Sequence, residues 1–251
     1  MAKQNSLLKI QGTIGGMTFY HTQDGNLVRE KGGVSKKRIA NDPAFQRTRE
    51  NGQEFGMAGK SGKMVRDAIR SFMQNASDSK VTSRLTQIMS YIVKEDKFSE
   101  RGLRNVATGI KTPEGKAFLK NFNFNSQSLL GSVLFRPIIL DPARGTVSIN
   151  SLEPKNHIAA PSGATHVSFR TAFATIDFAT GESFVEFSEP SNIKLDANLT
   201  TVQLVPDDVP TVTTETTSLY FLLMEFFQEV NGRQYSLKDG SFNCLEIIEV
   251  L

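Results

Sequence analysis

Hydrophobic and polar positions change their spacing along the chain, and the change divides it in two. Between Val81 and Val93 the apolar residues Val81, Leu85, Ile88, Met89, Ile92 and Val93 recur three or four apart, which predicts one amphipathic helix. Beyond about residue 124 the pattern turns to short runs rich in β-branched and aromatic residues. These are Val133–Arg136, Gly145–Ile149, His166–Arg170, Ala174–Phe178, Ser183–Phe187 and Thr200–Val205, then Leu219–Val230 and Phe242–Val250. The run Leu219–Phe227 is apolar almost throughout and reads as a strand buried on both faces. Asn231-Gly232 and Asp239-Gly240 are hairpin turns, because a type I′ turn needs positive φ at both central residues. The segment 206–217, with two prolines and many threonines, reads as a loop or an edge.

The first 124 residues read differently. Leu7, Leu8 and Ile10 lead into Gly12, Gly15 and Gly16, and the strand formers Met17–His21 follow. Asp24-Gly25 turns the chain back through Leu27–Glu30, giving a hairpin. The stretch Lys31–Arg38 reads as flexible and basic. A helix then starts at Pro43, capped by Asn41 or Asp42, and its pattern runs to about Asn75. Gly52, Gly56, Gly59 and Gly62 interrupt it, within about 120° of one another on a helical wheel. Each costs ~1 kcal/mol relative to alanine, so either another backbone packs closely there or the helix breaks. A short helix is expected from Ser99 through Val106, and another from Thr112-Pro113 through Leu119. The expected fold class is α+β: an N-terminal β-hairpin and helices (1–124), followed by an antiparallel β-sandwich domain (125–251).

Charge sharpens this division. Residues 1–120 carry 22 Lys/Arg against 11 Asp/Glu, and residues 121–251 carry 7 against 15. A basic half meets a polyanion such as nucleic acid, or the acidic half of another copy, or it reflects two domains of different composition. The candidate contact residues are Lys31, Lys36, Lys37, Arg38, Arg47 and Arg49. Gly52, Gly56 and Gly59 are the candidates for close packing, and Met17, Phe19 and Tyr20 for hydrophobic anchors.

Catalytic motifs fail on spacing. Gly59-Lys60-Ser61 resembles the end of a phosphate-binding loop, but Glu54 stands where that loop needs a glycine. His21, His157 and His166 sit in no metal-ligand spacing, and one cysteine, Cys244, makes neither a disulfide nor a thiolate zinc site. Asp207-Asp208 reads as solvated. No apolar run reaches the ~18 residues of a membrane helix, and the N-terminus lacks a secretory pattern. The chain is therefore expected to be cytoplasmic, or part of a virion, with no cofactor, metal, membrane partner or identified small-molecule substrate.

Two runs carry a resemblance. Asn41–Asn51, with Glu54-Phe55-Gly56 and Ala58-Gly59-Lys60, resembles an uncharacterised family of hypothetical proteins from Bacteroidota, and Glu229–Asn243 is similar to that family's end. The resemblance implies no activity. The expectation is a non-catalytic structural protein that self-assembles into a homo-oligomer or polymer (filament, tube or virion-type shell). The alternative is a nucleic-acid-associated protein binding through its basic half.

Overall fold

The computed structural model describes residues 2–5, 8–210, 212–237 and 240–251. Leu7 of the expected opening strand and Asp239 of the third expected turn lie outside them. The chain forms two compact units, Met1–Arg49 and Glu50–Leu251.

The first unit begins with strands β1 (Ala2–Lys3), β2 (Gly12–Ile14), β3 (Met17–Thr22) and β4 (Gly25–Glu30). They form an antiparallel sheet in the order β1-β4-β3-β2. Gly15 and Gly16 make the β2–β3 turn, with φ of 54° and 89°, a conformation that glycine adopts without steric cost. The expected β3–β4 hairpin is present, but its loop is Gln23-Asp24, because Thr22 pairs with Gly25. Helix α1 (Lys36–Asn41) follows, its first turn capped by the Ser35 hydroxyl, which accepts from the Arg38 N–H. The basic stretch is thus only partly loop. Asp42 caps the next turn, Pro43–Phe45, with Pro43 at its first position, and accepts from the Ala44 N–H at 3.0 Å.

Helix α2 (Gln46–Ala68) passes through all four glycines without a break, and α3 (Arg70–Met73) follows. Next come α4 (Val81–Glu95), α5 (Val106–Gly109), α6 (Pro113–Leu119) and α7 (Leu130–Val133). The strand expected over Val133–Arg136 is instead the end of α7 and one bridge, Leu134 to Ile158. Strands β5 (Ile139–Asp141) and β6 (Thr146–Leu152) precede α8 (Pro154–His157). The chain then runs through β7 (His166–Ile176), β8 (Ser183–Phe187), β9 (Ser191–Lys194), β10 (Thr200–Leu204), β11 (Thr217–Val230), β12 (Arg233–Ser236) and β13 (Cys244–Val250). The two runs read as separate strands within 166–178 are the single strand β7. Asn231-Gly232 turns β11 into β12 as its residue types require.

Antiparallel sheets and helices together make the fold α+β. The larger sheet is ordered β12-β11-β7-β8, with β13 on β11 and β9 on β7. Side chains alternate along its strands, and both sets are buried. Ala172, Ala174, Leu219, Phe221, Leu223 and Ile247 pack with Val65, Leu85, Met89 and Ile92 from α2 and α4. Val167, Phe169, Leu222, Met224 and Phe226 pack with Val147, Ile149, Val202 and Leu204 from the smaller sheet, β10-β6-β5. The expected sandwich is one half of a helix–sheet–sheet arrangement. The helices after residue 49 share a core with the sheet, because the α4 stripe needs an apolar face to cover it and β11 supplies one. A division near residue 124 cuts through that core.

Candidate assembly surfaces

Alternation along β3 sorts the expected anchors onto opposite faces. Met17 and Phe19 share one face, joined through cross-strand pairs by Ile14, Val28 and, across from Met17, Glu30. Tyr20 lies on the other face beside Leu27, with the Arg29 guanidinium 5.3 Å from its ring centre. Tyr20 is therefore not part of the same anchor. Ile14 and Met17 are 59% and 51% exposed, and no described residue of Met1–Arg49 is buried. Ile14 was not singled out from the sequence, although a two-residue Gly15-Gly16 turn places it opposite Met17.

The six expected basic contacts separate into two kinds. Arg49 donates to the Ile39 carbonyl at 2.8 Å and the Asp42 carbonyl at 3.0 Å, tying α1 to the start of α2. Arg38 pairs with Asp42 at 3.1 Å. That pairing and the Ala44 N–H hold the Asp42 carboxyl below its ordinary value, the N–H being the larger cause. Lys31, Lys36, Lys37 and Arg47 are exposed, and none is in an ion pair among the described residues. The unit carries nine Lys/Arg against three Asp/Glu.

At Gly52, Gly56 and Gly59 an added Cβ would meet nothing within 4 Å. The close packing expected there has no partner among the described residues. Only Gly62 is approached, by Leu85 and Met89. Beside Gly59 runs an open groove of about 670 Å³, between Phe55 on α2 and the hydroxyl row of Ser83, Thr86 and Ser90 on α4. Those hydroxyls donate to the carbonyls of Lys80, Thr82 and Thr86, which leaves their oxygens as acceptors.

The acidic part gathers a surface that sequence reasoning passed over. Residues 171–232 hold ten Asp/Glu and one basic residue, Lys194. The Asp207 N–H donates to the Phe187 carbonyl at 3.1 Å, and Ser188 bridges to Pro206. These contacts lay the loop after β10 alongside the end of β8. Glu186, Glu189, Asp207 and Asp208 thereby come together, and none is in an ion pair among the described residues. Phe184, Val205 and Val209 are exposed nearby, Phe184 at 49%. Asp207-Asp208 was readable from sequence only as a polar loop, because its neighbour β8 is 20 residues away.

The remaining reactive side chains are engaged in structure. His157 Nδ1 accepts the Glu153 N–H at 2.9 Å, and His166 Nε2 lies 3.4 Å from Glu229. Burial pushes the Cys244 thiol up to about 11, and its sulfur lies 2.9 Å from the Ser128 hydroxyl, so it is held as a thiol. Among the described residues no group of three or more His, Cys, Asp or Glu could hold a metal ion, and no helix is long and apolar enough to cross a membrane. Comparison with known proteins finds no matching family model, no matching curated protein and no matching solved structure.

Proposed function

We propose that the chain is a non-catalytic structural protein that assembles with copies of itself through its N-terminal sheet, as part of a filament, tube or virion-type shell. The observation behind this reading is the apolar face formed by Ile14, Met17, Phe19 and Val28 in a unit without a single buried described residue. A sheet with one apolar face is stable when that face is covered, and a second subunit is a means of covering it. Light scattering of the full chain at rising concentration tests this. Large species are expected for the parent. They should be lost in the double variant Ile14→Asp, Met17→Asp, whose melting temperature should match the parent's because both side chains are exposed. A parent that stays monomeric at every concentration and salt would overturn the reading.

The nine-to-three charge ratio of the same unit favours a second reading, association with nucleic acid. It predicts a gel shift by the monomeric parent, weakened by salt and by Lys36→Glu with Lys37→Glu.

A further inference from the structure

We propose that the N-terminal sheet docks on the acidic β8 surface of a second copy, so that assembly runs head to tail. This rests on the self-assembly reading and names the partner surface for it. The docking face offers Ile14, Met17, Phe19 and Val28, with Glu30 across from Met17, in a unit that also carries Lys31, Lys36 and Lys37, none of them in an ion pair among the described residues. The receiving surface is the end of β8 with the loop after β10, where Phe184, Val205 and Val209 are exposed and Glu186, Glu189, Asp207 and Asp208 are in no ion pair among the described residues. The two regions differ in sign: Met1–Arg49 carries nine Lys/Arg against three Asp/Glu, and residues 171–232 carry ten Asp/Glu against one Lys.

Charge selects this pairing over the two symmetric ones. Contact between two N-terminal units brings together two regions of net positive charge, and contact between two β8 surfaces brings together two of net negative charge. Like charges in juxtaposition oppose docking, whereas unlike charges attract and orient the encounter. The strand geometry agrees. Among the described residues β8 pairs along its length with β7 alone, and at the end of its other flank the Phe187 carbonyl accepts from the Asp207 N–H and Ser188 bridges to Pro206. An edge strand in this state is a template for association, and its carboxylates turn away an identical edge. One surface of each kind per chain makes the contact heterologous, which closes a ring or extends a filament.

Charge reversal tests the pairing in the full chain. One variant carries Lys31→Glu, Lys36→Glu and Lys37→Glu. The other carries Glu189→Lys, Asp207→Lys and Asp208→Lys. All six positions are exposed, so both variants should melt as the parent does. Sedimentation velocity at low ionic strength should show each variant alone associating on the order of ten-fold more weakly than the parent. An equimolar mixture should recover association, because each reversed region then faces its complement on the other variant. If the parent assembles but the carboxylate reversal associates as tightly as the parent, or the mixture recovers nothing, the β8 surface is not the partner, while self-assembly itself stands. A parent that is monomeric throughout overturns both.

Discussion

Strands β3 and β11 both lie inside antiparallel sheets and both alternate faces, yet they are stabilised differently. On β11 the residues Thr217–Met224 are all buried, with odd positions against helices and even positions against the smaller sheet. On β3 no residue is buried, and the apolar positions Met17 and Phe19 meet only cross-strand neighbours among the pairs within their sheet. The backbone hydrogen bonds are alike, so the difference lies in the area removed from water, at roughly 25 cal/mol per Å². One sheet is held by its own chain, and the other presents a face that its own unit leaves uncovered. Truncating an aromatic on each strand should separate the two most widely. Phe221→Ala, at a fully buried position, should cost about 3–5 kcal/mol in denaturant unfolding. Phe19→Ala should cost about 1 kcal/mol or less in the monomer and act on association instead. Equal losses at the two positions would show that the N-terminal sheet has a core of its own.

The next effect is one of crowding. At Gly109 an added Cβ would sit 2.0 Å from the Ile92 carbonyl oxygen, so α5 lies against α4 with no room for a side chain. Gly109→Ala should force the two helices apart and cost on the order of 1–3 kcal/mol, read from the thermal midpoint. A variant that melts with the parent would mean that α5 moves freely on α4.

What was legible in the sequence follows the same contrast. The Val81–Val93 stripe, the Thr112 and Asp42 caps, the Asn231-Gly232 turn and the two-sided burial of β11 depend on neighbours within a few residues, and all were readable. Val133–Arg136 has strand propensity, but Val133 ends α7 and Leu134 makes a single bridge, because Leu130, Val133 and Leu134 are drawn into the core beneath the smaller sheet. The shared core of helices and sheet is set by contacts over a hundred residues apart, for which local periodicity has no signal. Within the candidate surface, alternation alone separates Tyr20 from Met17 and Phe19. By contrast, the meeting of Glu189 with Asp207 depends on the bridge between β8 and the loop after β10.

Carboxylates distinguish the units at low pH. Burial raises the Asp96 carboxyl, but N–H donors from Ser99, Asn105 and Phe98 outweigh it and hold the group below its ordinary value. A depressed carboxylate contributes stability above its unfolded pKa, and that contribution is lost as pH falls through the folded one. The parent should therefore lose more stability than Asp96→Asn between about pH 5 and pH 3, where aspartates protonate. Asp42 is depressed too, but it is a solvent-facing cap in the N-terminal unit, so Asp42→Asn should change the profile less. Matching profiles for the parent and Asp96→Asn would remove the loop 96–105 as an acid-sensitive element.

The smallest effect is expected at Gly56, and it has the opposite sign to that at Gly109. Glycine inside a helix loses more backbone freedom on folding than alanine, by about 0.5–1 kcal/mol. Where alanine fits without strain, replacing glycine recovers that amount. Gly56 is in the interior of α2, and a Cβ there meets nothing within 4 Å. Gly56→Ala should therefore raise the thermal midpoint of the monomer by a few degrees, as should Gly52→Ala. Light scattering on the same variants then separates two roles for the stripe. Unchanged assembly would make these glycines a tolerated local cost, and it is the outcome expected if the β8 surface receives the N-terminal sheet. A stabilised monomer that no longer assembles would place a neighbouring backbone against α2, and the groove beside Gly59 would become the contact between copies.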